Sequence, residues 1–279
     1  MAVVTISRGT MGLATVLAER LASRLGAKCL GREVLQEGAE RLGVSLEMMQ
    51  KKIQEAPAFL ERWVSDRKRY ILAMQAVLAE HASCGNLVYH GHAGHLLLRS
   101  VPAVLKARII APLEVRVPLV MEHEHLGREE ARAYILKVDE ARAKWARFLY
   151  GVDWGDPQLY DVVLNLGTTT VETAVEVLTG MAQRAEFTPT EAVSKKLHDF
   201  ALASRVKLAL ALSPATRALD LEVLADDGKI TLTGTVPATS LPFGVDARLH
   251  QELYEAAMGV TGVKEVALDL VSKPGGVID

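Results

Sequence analysis

The chain has few cysteines and no long apolar segment. Cys29 and Cys84 are the only two thiols among 279 residues, which excludes a disulfide framework. Even residues 101–120 are interrupted by charged side chains and prolines, so they fall short of the roughly 20 apolar residues that span a bilayer. We therefore expect a reduced, cytoplasmic protein with no transmembrane segment.

An excess of charge of one sign is also absent. The chain carries 32 basic and 34 acidic side chains, a net charge of −2. This balance excludes a general electrostatic attraction to nucleic acid or to acidic surfaces. The hydrophobic fraction of 49% is that of a globular protein. We expect no nucleic-acid partner, and any anion site must be formed locally.

The hydrophobic pattern of the sequence differs between the two parts of the chain. Up to about residue 180, short apolar runs alternate with amphipathic segments, which is typical of a parallel sheet covered by helices. The predicted elements are strands at 3–6, 86–90, 104–110 and 161–165, and helices at 13–25, across 32–82, near 93–99, and at 113–125, 128–149 and 171–185. We predict domains at 1–185 and 198–279, joined by a linker at 186–197.

The C-terminal part of the sequence predicts a compact αββαβ unit. The predicted helices are at 192–212 and 245–258, and the predicted strands at 219–225, 230–236 and 263–271. Asp227-Gly228 favours a tight hairpin, since such a turn needs positive φ. Residues 195–272 carry eight basic and ten acidic side chains, with no Lys/Arg cluster in the sequence. This balance favours a regulatory or protein-interaction module over a module that binds anionic membranes.

The N-terminus has the layout of a phosphate-binding turn without its lysine. A β-branched run at 3–6 leads into Arg8-Gly9-Thr10-Met11-Gly12 and then into a helix. Unpaired backbone N–H groups of such a turn, together with the helix dipole, attract phosphate. The P-loop pattern G-x-x-x-x-G-K-[ST] also needs a lysine that reaches the β/γ-phosphates. Nothing here supplies that lysine, and Arg8 is the nearest cation.

Four stretches in the first 180 residues form an ordered set of motifs. They are TISRGTMG at the N-terminus, residues 25–44, VYHGHAGHLLL at 88–98, and the block 109–165, which contains APLEVR, DWGDP and YDVVLN. In this order they resemble the cytidylate kinase-like family, a branch of the P-loop nucleoside monophosphate kinases. DDGKITLTGTV and GVTGVKEV, within 198–272, resemble a BON domain. These resemblances imply an α/β fold, with a P-loop kinase-like parallel sheet flanked by helices, and a second, smaller αββαβ (BON-like, α+β) domain.

The resemblance implies roles for individual residues. The loop lysine of related cytidylate kinases corresponds to Ala14, and the hydroxyl after it to Thr15, which is expected to hold Mg²⁺. Asp139 and Arg142 match the lid whose arginines close on phosphates in such kinases, and with Arg8 they are the expected catalytic residues. ATP and Mg²⁺ are the expected cofactors. The residues expected to bind the cofactor are Gly9, Thr10, Gly12, Thr15, Arg128 and Arg132.

The resemblance implies that Arg32 and His92 bind the acceptor nucleotide. The segments that contain the expected site residues also have a second interpretation. From periodicity alone, the basic residues of 128–149 favour a solvated helix with i,i+3 and i,i+4 ion pairs. Arg32 also fits a helix N-terminus, with an acidic neighbour. His90, His92 and His95 follow a strand. With no Cys, Asp or Glu in the motif, they favour nucleotide contact or a structural turn over zinc.

Two functions follow from these patterns. The first is a nucleotide-binding kinase-like enzyme that moves the γ-phosphoryl of ATP to a pyrimidine nucleoside monophosphate, with reduced or lost activity. The second is a non-catalytic nucleotide- or anion-sensing regulatory protein that acts through its BON domain. Ala14 favours the second, whereas Asp139 and Arg142 favour the first. The expected partners are a nucleotide or other phosphate-bearing small molecule, and a protein or phospholipid at the BON domain; a homo-oligomer is left open.

Overall fold

The computed structural model describes residues 2–9, 13–54, 62–237 and 247–273. The chain divides into an N-terminal unit, Met1–Phe59 with Cys84–Val193, and a C-terminal unit, Leu60–Ser83 with Ser194–Asp279. No feature of the sequence predicts that residues 60–83 group with the C-terminal unit, and the predicted boundaries at 185 and 198 stay a prediction. No helix within the described ranges is both long enough and apolar enough to cross a membrane.

The N-terminal unit is built on a five-stranded parallel sheet with the order β2-β3-β1-β4-β5. The strands are β1 (Val3–Arg8), β2 (Lys28–Leu30), β3 (Leu87–Tyr89), β4 (Val104–Ile110) and β5 (Val162–Asn165). The helices of this unit are α1 (Leu13–Leu25), α2 (Glu33–Leu42), α3 (Leu46–Gln54), α5 (Gly94–Leu97), α6 (Leu113–Glu124), α7 (Arg128–Tyr150) and α8 (Val171–Ala182). The predicted parallel sheet flanked by helices is confirmed, with β2 as a strand that the sequence did not predict.

The core of this unit lies where α1 and α8 contribute apolar side chains to the same cluster as the central strands. Leu17 and Leu21 of α1 are fully buried, as are Leu178 of α8 and Val4 of β1. Burying one such leucine stabilises the fold by about 1.5–3 kcal/mol. Because the strands are parallel, their carboxyl ends lie at one edge of the sheet, where ligands bind in open α/β folds.

The C-terminal unit contains α4 (Arg62–Ser83), α9 (Glu191–Leu212) and a three-stranded sheet with α10 (Ala247–Met258). The strands are β6 (Leu221–Asp226), β7 (Lys229–Pro237) and β8 (Glu265–Lys273), in the order β6-β7-β8. β6 and β7 are antiparallel and β8 runs parallel to β7. The hairpin turn has φ of 46° at Asp227 and 85° at Gly228, so the predicted turn is confirmed. The predicted αββαβ order from α9 to β8 is confirmed as well.

Candidate functional site

A cavity of about 580 Å³ opens in the N-terminal unit beside the carboxyl ends of β1 and β3. This volume lies within the range typical of small-molecule sites. Its described lining contains no aspartate or glutamate. The lysine and arginine residues of the lining are Arg8, Arg32, Lys137 and Arg142, and its hydroxyl residues are Ser7, Thr15, Tyr134 and Tyr150. A cavity with four cations and no carboxylate in its described lining suits an anionic ligand.

Two arginines of this cavity lie next to each other. Arg142 Nη1 donates to the Arg8 carbonyl oxygen at 2.8 Å, and Arg8 Nε donates to the His90 carbonyl oxygen at 3.3 Å. Burial, and then the charge of Arg142, lower the pKa of Arg8 to about 10. Burial also lowers the pKa of Arg142, while Asp139 opposes that shift. Because both guanidinium groups stay charged at neutral pH, a bound anion would relieve their repulsion and the cost of their burial.

A third arginine lies at the glycine that begins the phosphate turn. Arg116, from α6, donates through Nη1 to Asp139 Oδ2 at 2.6 Å, and the two side chains are 12% and 24% exposed. A Cβ atom on Gly9 would lie 2.6 Å from Arg116 Nη1, so a side chain at residue 9 would require the guanidinium to shift. Within the described residues, Arg116 Nε and Asp139 Oδ1 are buried without a hydrogen-bond partner.

A buried polar network fixes the end of β1. Trp154 Nε1 donates to Ser7 Oγ at 2.9 Å, and Tyr160 Oη lies 3.3 Å from the same oxygen. Tyr160 Oη also donates to the Trp154 carbonyl oxygen at 3.0 Å and lies 3.2 Å from His95 Nε2. Arg108 stacks over the Trp154 ring, with its Cζ 4.5 Å from the ring centroid. Burial lowers the pKa of His95 to about 3, so this imidazole is neutral at pH 7. The network joins Ser7, which precedes Arg8, to the segment that follows α7.

The histidines after β3 are neutral and partly line the cavity. Burial lowers the pKa values of His90 and His92 to about 4 each. The His92 ring meets Trp145 edge to face, with ring centroids 6.4 Å apart. A Cβ on Gly31 would lie 2.6 Å from the His90 ring, so this close approach needs glycine. Within the described residues, no three His, Cys, Asp or Glu side chains gather as metal ligands would.

Arg32 lies on the same cavity, at the start of α2. Its guanidinium faces the Gln50 side chain, whose oxygen, when the amide is turned toward it, accepts from Arg32 Nε at 3.1 Å. Glu33 Oε2 accepts from the Gly31 backbone N–H at 2.7 Å, and this bond lowers the pKa of Glu33. The acidic helix start expected from the sequence is therefore present, and it coexists with the cavity position of Arg32.

The other predicted site residues do not all lie at the cavity. Arg128 and Arg132 both form ion pairs with Glu114, at 2.6 and 2.8 Å, and neither is among the cavity lining residues. Both ion pairs join α7 to α6, so they are not the i,i+3 and i,i+4 pairs that periodicity favours; Lys144 and Glu140, at 2.7 Å, form such a pair. The role of Arg128 and Arg132 at the cofactor stays a prediction. Thr10 and Gly12 lie outside the described residues. The structure thus brings Arg8, Thr15, Arg32, His92 and Arg142 together, with Gly9 and Asp139 at Arg116.

Ala14 contributes nothing to this cavity. It is fully buried and belongs to the hydrophobic cluster of α1, α8 and the central strands. Sequence reasoning also missed Arg116 and Lys137. Arg116 is the arginine of the APLEVR motif, which the sequence shows, but only the fold shows that it lies against Gly9.

The fold and the site define a P-loop kinase-like protein, in which Arg142 of α7 donates to the Arg8 carbonyl oxygen and Arg116 of α6 lies against Gly9, just after β1. The chain belongs to the cytidylate kinase-like family, whose model matches residues 3–168. A BON domain model matches residues 198–274. The family shows a relationship to nucleotide kinases, and the BON match covers the αββαβ unit.

Similar proteins agree with this assignment. The chain is 34% identical over 154 residues to a cytidylate kinase of Methanopyrus kandleri, covering 54% of this chain and 77% of that protein. It is 29% identical over 184 residues to a cytidylate kinase of Ignicoccus hospitalis, covering 65% of this chain and 99% of that protein. The crystal structure of an uncharacterized protein from Eubacterium ventriosum matches with a TM-score of 0.51 and 21% identity, over 64% of this chain and 97% of that chain. The last match supports the fold alone.

Proposed function

We propose that the cavity binds nucleotide phosphates and that the protein transfers the γ-phosphoryl of ATP to a pyrimidine nucleoside monophosphate at a reduced rate. The observation that carries this proposal is the arrangement of arginines at the end of β1, where Arg142 donates to the Arg8 carbonyl oxygen and the Arg116 guanidinium lies against Gly9. Guanidinium groups suit this work because their planar fork matches phosphate oxygens and their charge persists. The family membership supports a nucleotide as the source of those phosphates.

The residues present fit ATP and Mg²⁺. The Thr15 hydroxyl lines the cavity and is a suitable oxygen ligand for Mg²⁺, which in such sites relies mostly on phosphate oxygens and water. When bound, ATP supplies the phosphoryl group and Mg²⁺ neutralises part of its charge. Arg8 and Arg142 would hold the phosphates on the β1 side, and Arg32 and His92 would contact the acceptor.

The missing lysine sets the expected rate. Removing one preorganised electrostatic donor from an active site costs about 3–4 kcal/mol of transition-state stabilisation. Arg116 offsets part of this loss in the proposal, because its guanidinium already lies against Gly9 and its Nε is without a partner among the described residues. Phosphoryl transfer depends on positioning and charge stabilisation, so a displaced cation lowers the rate more than the affinity.

A second function rests on the burial of Ala14. Since position 14 packs in the core, no side chain there extends over the phosphates as the P-loop lysine does. In this alternative, a nucleotide or other anion binds at the arginines without turnover and controls what the BON domain contacts, a protein or a phospholipid. A cytoplasmic location, where nucleotides are available, belongs to both versions of the proposal.

Turnover and binding measured on the same protein separate the two functions. Purified full-length protein receives ATP and Mg²⁺ with CMP, dCMP, UMP or AMP, and ADP release is followed alongside thermal stabilisation. Release of ADP that Arg142→Ala abolishes and Arg147→Ala preserves would support the kinase; Arg147 is an exposed residue of the same helix. Stabilisation without turnover would support the sensor, and no stabilisation by any nucleotide would refute both.

A further inference from the structure

Gln50 contacts one of the arginines that line the cavity, and neither proposed function gives it a role. Gln50 belongs to α3, Arg32 immediately precedes α2, and both residues line the cavity. With its amide oxygen turned toward the guanidinium, Gln50 accepts from Arg32 Nε at 3.1 Å and from Arg32 Nη2 at 3.2 Å. A guanidinium has donors and no acceptor, so this orientation of the amide is the one that satisfies both groups. A single oxygen atom thereby holds two edges of the guanidinium.

The backbone on both sides of this contact is held in place. The Arg32 carbonyl oxygen accepts from the Leu35 backbone N–H at 3.0 Å, at the start of α2. Met49, which precedes Gln50 in α3, is fully buried, and its backbone N–H donates to the Ser45 carbonyl oxygen at 3.0 Å. The two side chains therefore meet from fixed positions on two consecutive helices.

A neutral partner orients Arg32 without cancelling its charge. The guanidinium carries more N–H donors than the Gln50 oxygen accepts, so donors remain for phosphate oxygens. A carboxylate in the same place would form an ion pair and neutralise the charge that attracts phosphate. Such pairs occur outside the cavity lining, where Arg128 and Arg132 share the Glu114 carboxylate. The amide at position 50 therefore suits an arginine that binds an anion.

The arginines near β1 are also held by neutral oxygen atoms. Arg142 Nη1 donates to the Arg8 carbonyl oxygen, and Arg8 Nε donates to the His90 carbonyl oxygen. Both acceptors are backbone groups, which no substitution removes. The partner of Arg32 is a side chain, so its contribution can be tested by substitution.

Arg32 lies at a different part of the sheet from Arg8. Arg32 follows β2, whereas Arg8 ends β1, and β3 lies between these strands. Two strand spacings amount to about 10 Å, so the two arginines follow strands that are well separated. This separation favours two different phosphate groups as their ligands.

We propose that Gln50 is a positioning residue, which holds the Arg32 guanidinium in the orientation that binds the phosphate of the acceptor nucleoside monophosphate. The inference rests on the proposed function, in which Arg32 contacts the acceptor. Guanidinium groups bind phosphate through forked, directional donors, so their orientation determines the strength of the contact. Changes at Gln50 should therefore weaken the binding of the acceptor and leave that of ATP unchanged.

Calorimetric titration of the full-length protein with CMP, and separately with ATP and Mg²⁺, tests this role. Gln50→Glu keeps the shape of the side chain but places a carboxylate against Arg32. We expect CMP binding to weaken at least about tenfold, with ATP affinity unchanged within about twofold. The matched control Gln183→Glu adds the same charge at the exposed end of α8 and should bind both nucleotides like the unaltered protein.

A double-mutant cycle shows whether Gln50 acts through Arg32. Gln50→Met keeps the length of the side chain and removes its oxygen, so CMP binding should weaken about three- to tenfold. In an Arg32→Gln background, the same substitution should have little further effect, because its partner is already absent. An equal fold-change in both backgrounds would overturn the positioning role.

The two titrations separate failure of this inference from failure of the proposed function. Equal CMP affinity in Gln50→Glu and the unaltered protein would overturn the role of Gln50 and leave the proposed function intact. Equal weakening of CMP and ATP would also overturn it, because the effect would not be confined to the acceptor. Binding of ATP without CMP by the unaltered protein would remove the acceptor site, and binding of neither nucleotide would refute the proposed function itself.

Discussion

Replacement of Tyr160 by phenylalanine removes one hydroxyl from the centre of the buried network. That oxygen lies 3.0 Å from the Trp154 carbonyl oxygen, 3.2 Å from His95 Nε2 and 3.3 Å from Ser7 Oγ. Phenylalanine keeps the ring that stacks on the His95 imidazole at 4.7 Å, so packing is preserved and only the polar contacts are lost. Because His95 is 2% exposed, its Nε2 would remain buried without this partner.

The expected cost follows from those contacts. A buried polar group left unsatisfied costs about 1–3 kcal/mol. In a unit of this size, 1 kcal/mol corresponds to about 2–4 °C, so Tm should fall by roughly 2–12 °C. Thermal and urea unfolding followed by tryptophan fluorescence measure the change, and Tyr254→Phe, on the exposed face of α10, is the control. Equal stability of the two variants would refute the structural role of the network.

Three further changes test separate parts of the structure. Gly91→Ala would place a Cβ against the fully buried Tyr89 ring, and it should lower the free energy of unfolding in urea by about 1–3 kcal/mol. The control Gly180→Ala has open space around it in α8 and should be neutral or stabilising. Equal effects of the two substitutions would contradict the packing at Gly91. Ala14→Lys should destabilise the protein by about 3 kcal/mol, because it buries a charge in the core, and increased stability with restored turnover would contradict this. The folded-state pKa of His95, about 3, lies below its ordinary value of 6.5, so the unfolded chain binds more protons between these values. Stability should therefore decrease as the pH falls below 6.5, and a urea midpoint that stays constant down to pH 4 would contradict the burial of a neutral imidazole.

Strongly patterned elements of the fold were predictable. The strand expected at 104–110 matches β4, and the helix expected at 128–149 matches α7 within one residue. The strand β2 was missed because Lys28–Leu30 is three residues long and has no period to detect. The grouping of α4 with the C-terminal unit depends on tertiary contacts, which no local pattern encodes.

The candidate site was predictable where residues follow strands. Arg8 comes at the end of β1 and His92 soon after β3, and parallel strands bring such positions to one edge. Arg116 was missed because it lies more than 100 residues from Gly9 in the sequence. Only the folded structure shows that its guanidinium lies against this glycine. The contact of Tyr160 with Ser7 spans 153 positions in the sequence. Side-chain networks of this kind depend on the packed fold, so the sequence pattern alone does not define them.

The most direct test of the central claim is the calorimetric titration of full-length protein with ATP and Mg²⁺. We predict one nucleotide per cavity, affinity at least about tenfold weaker in Arg116→Gln, and unchanged affinity in Arg147→Gln, which removes an exposed charge from α7. Absence of binding by the unaltered protein, or equal affinity in all three proteins, would contradict a phosphate site formed by arginines at Gly9.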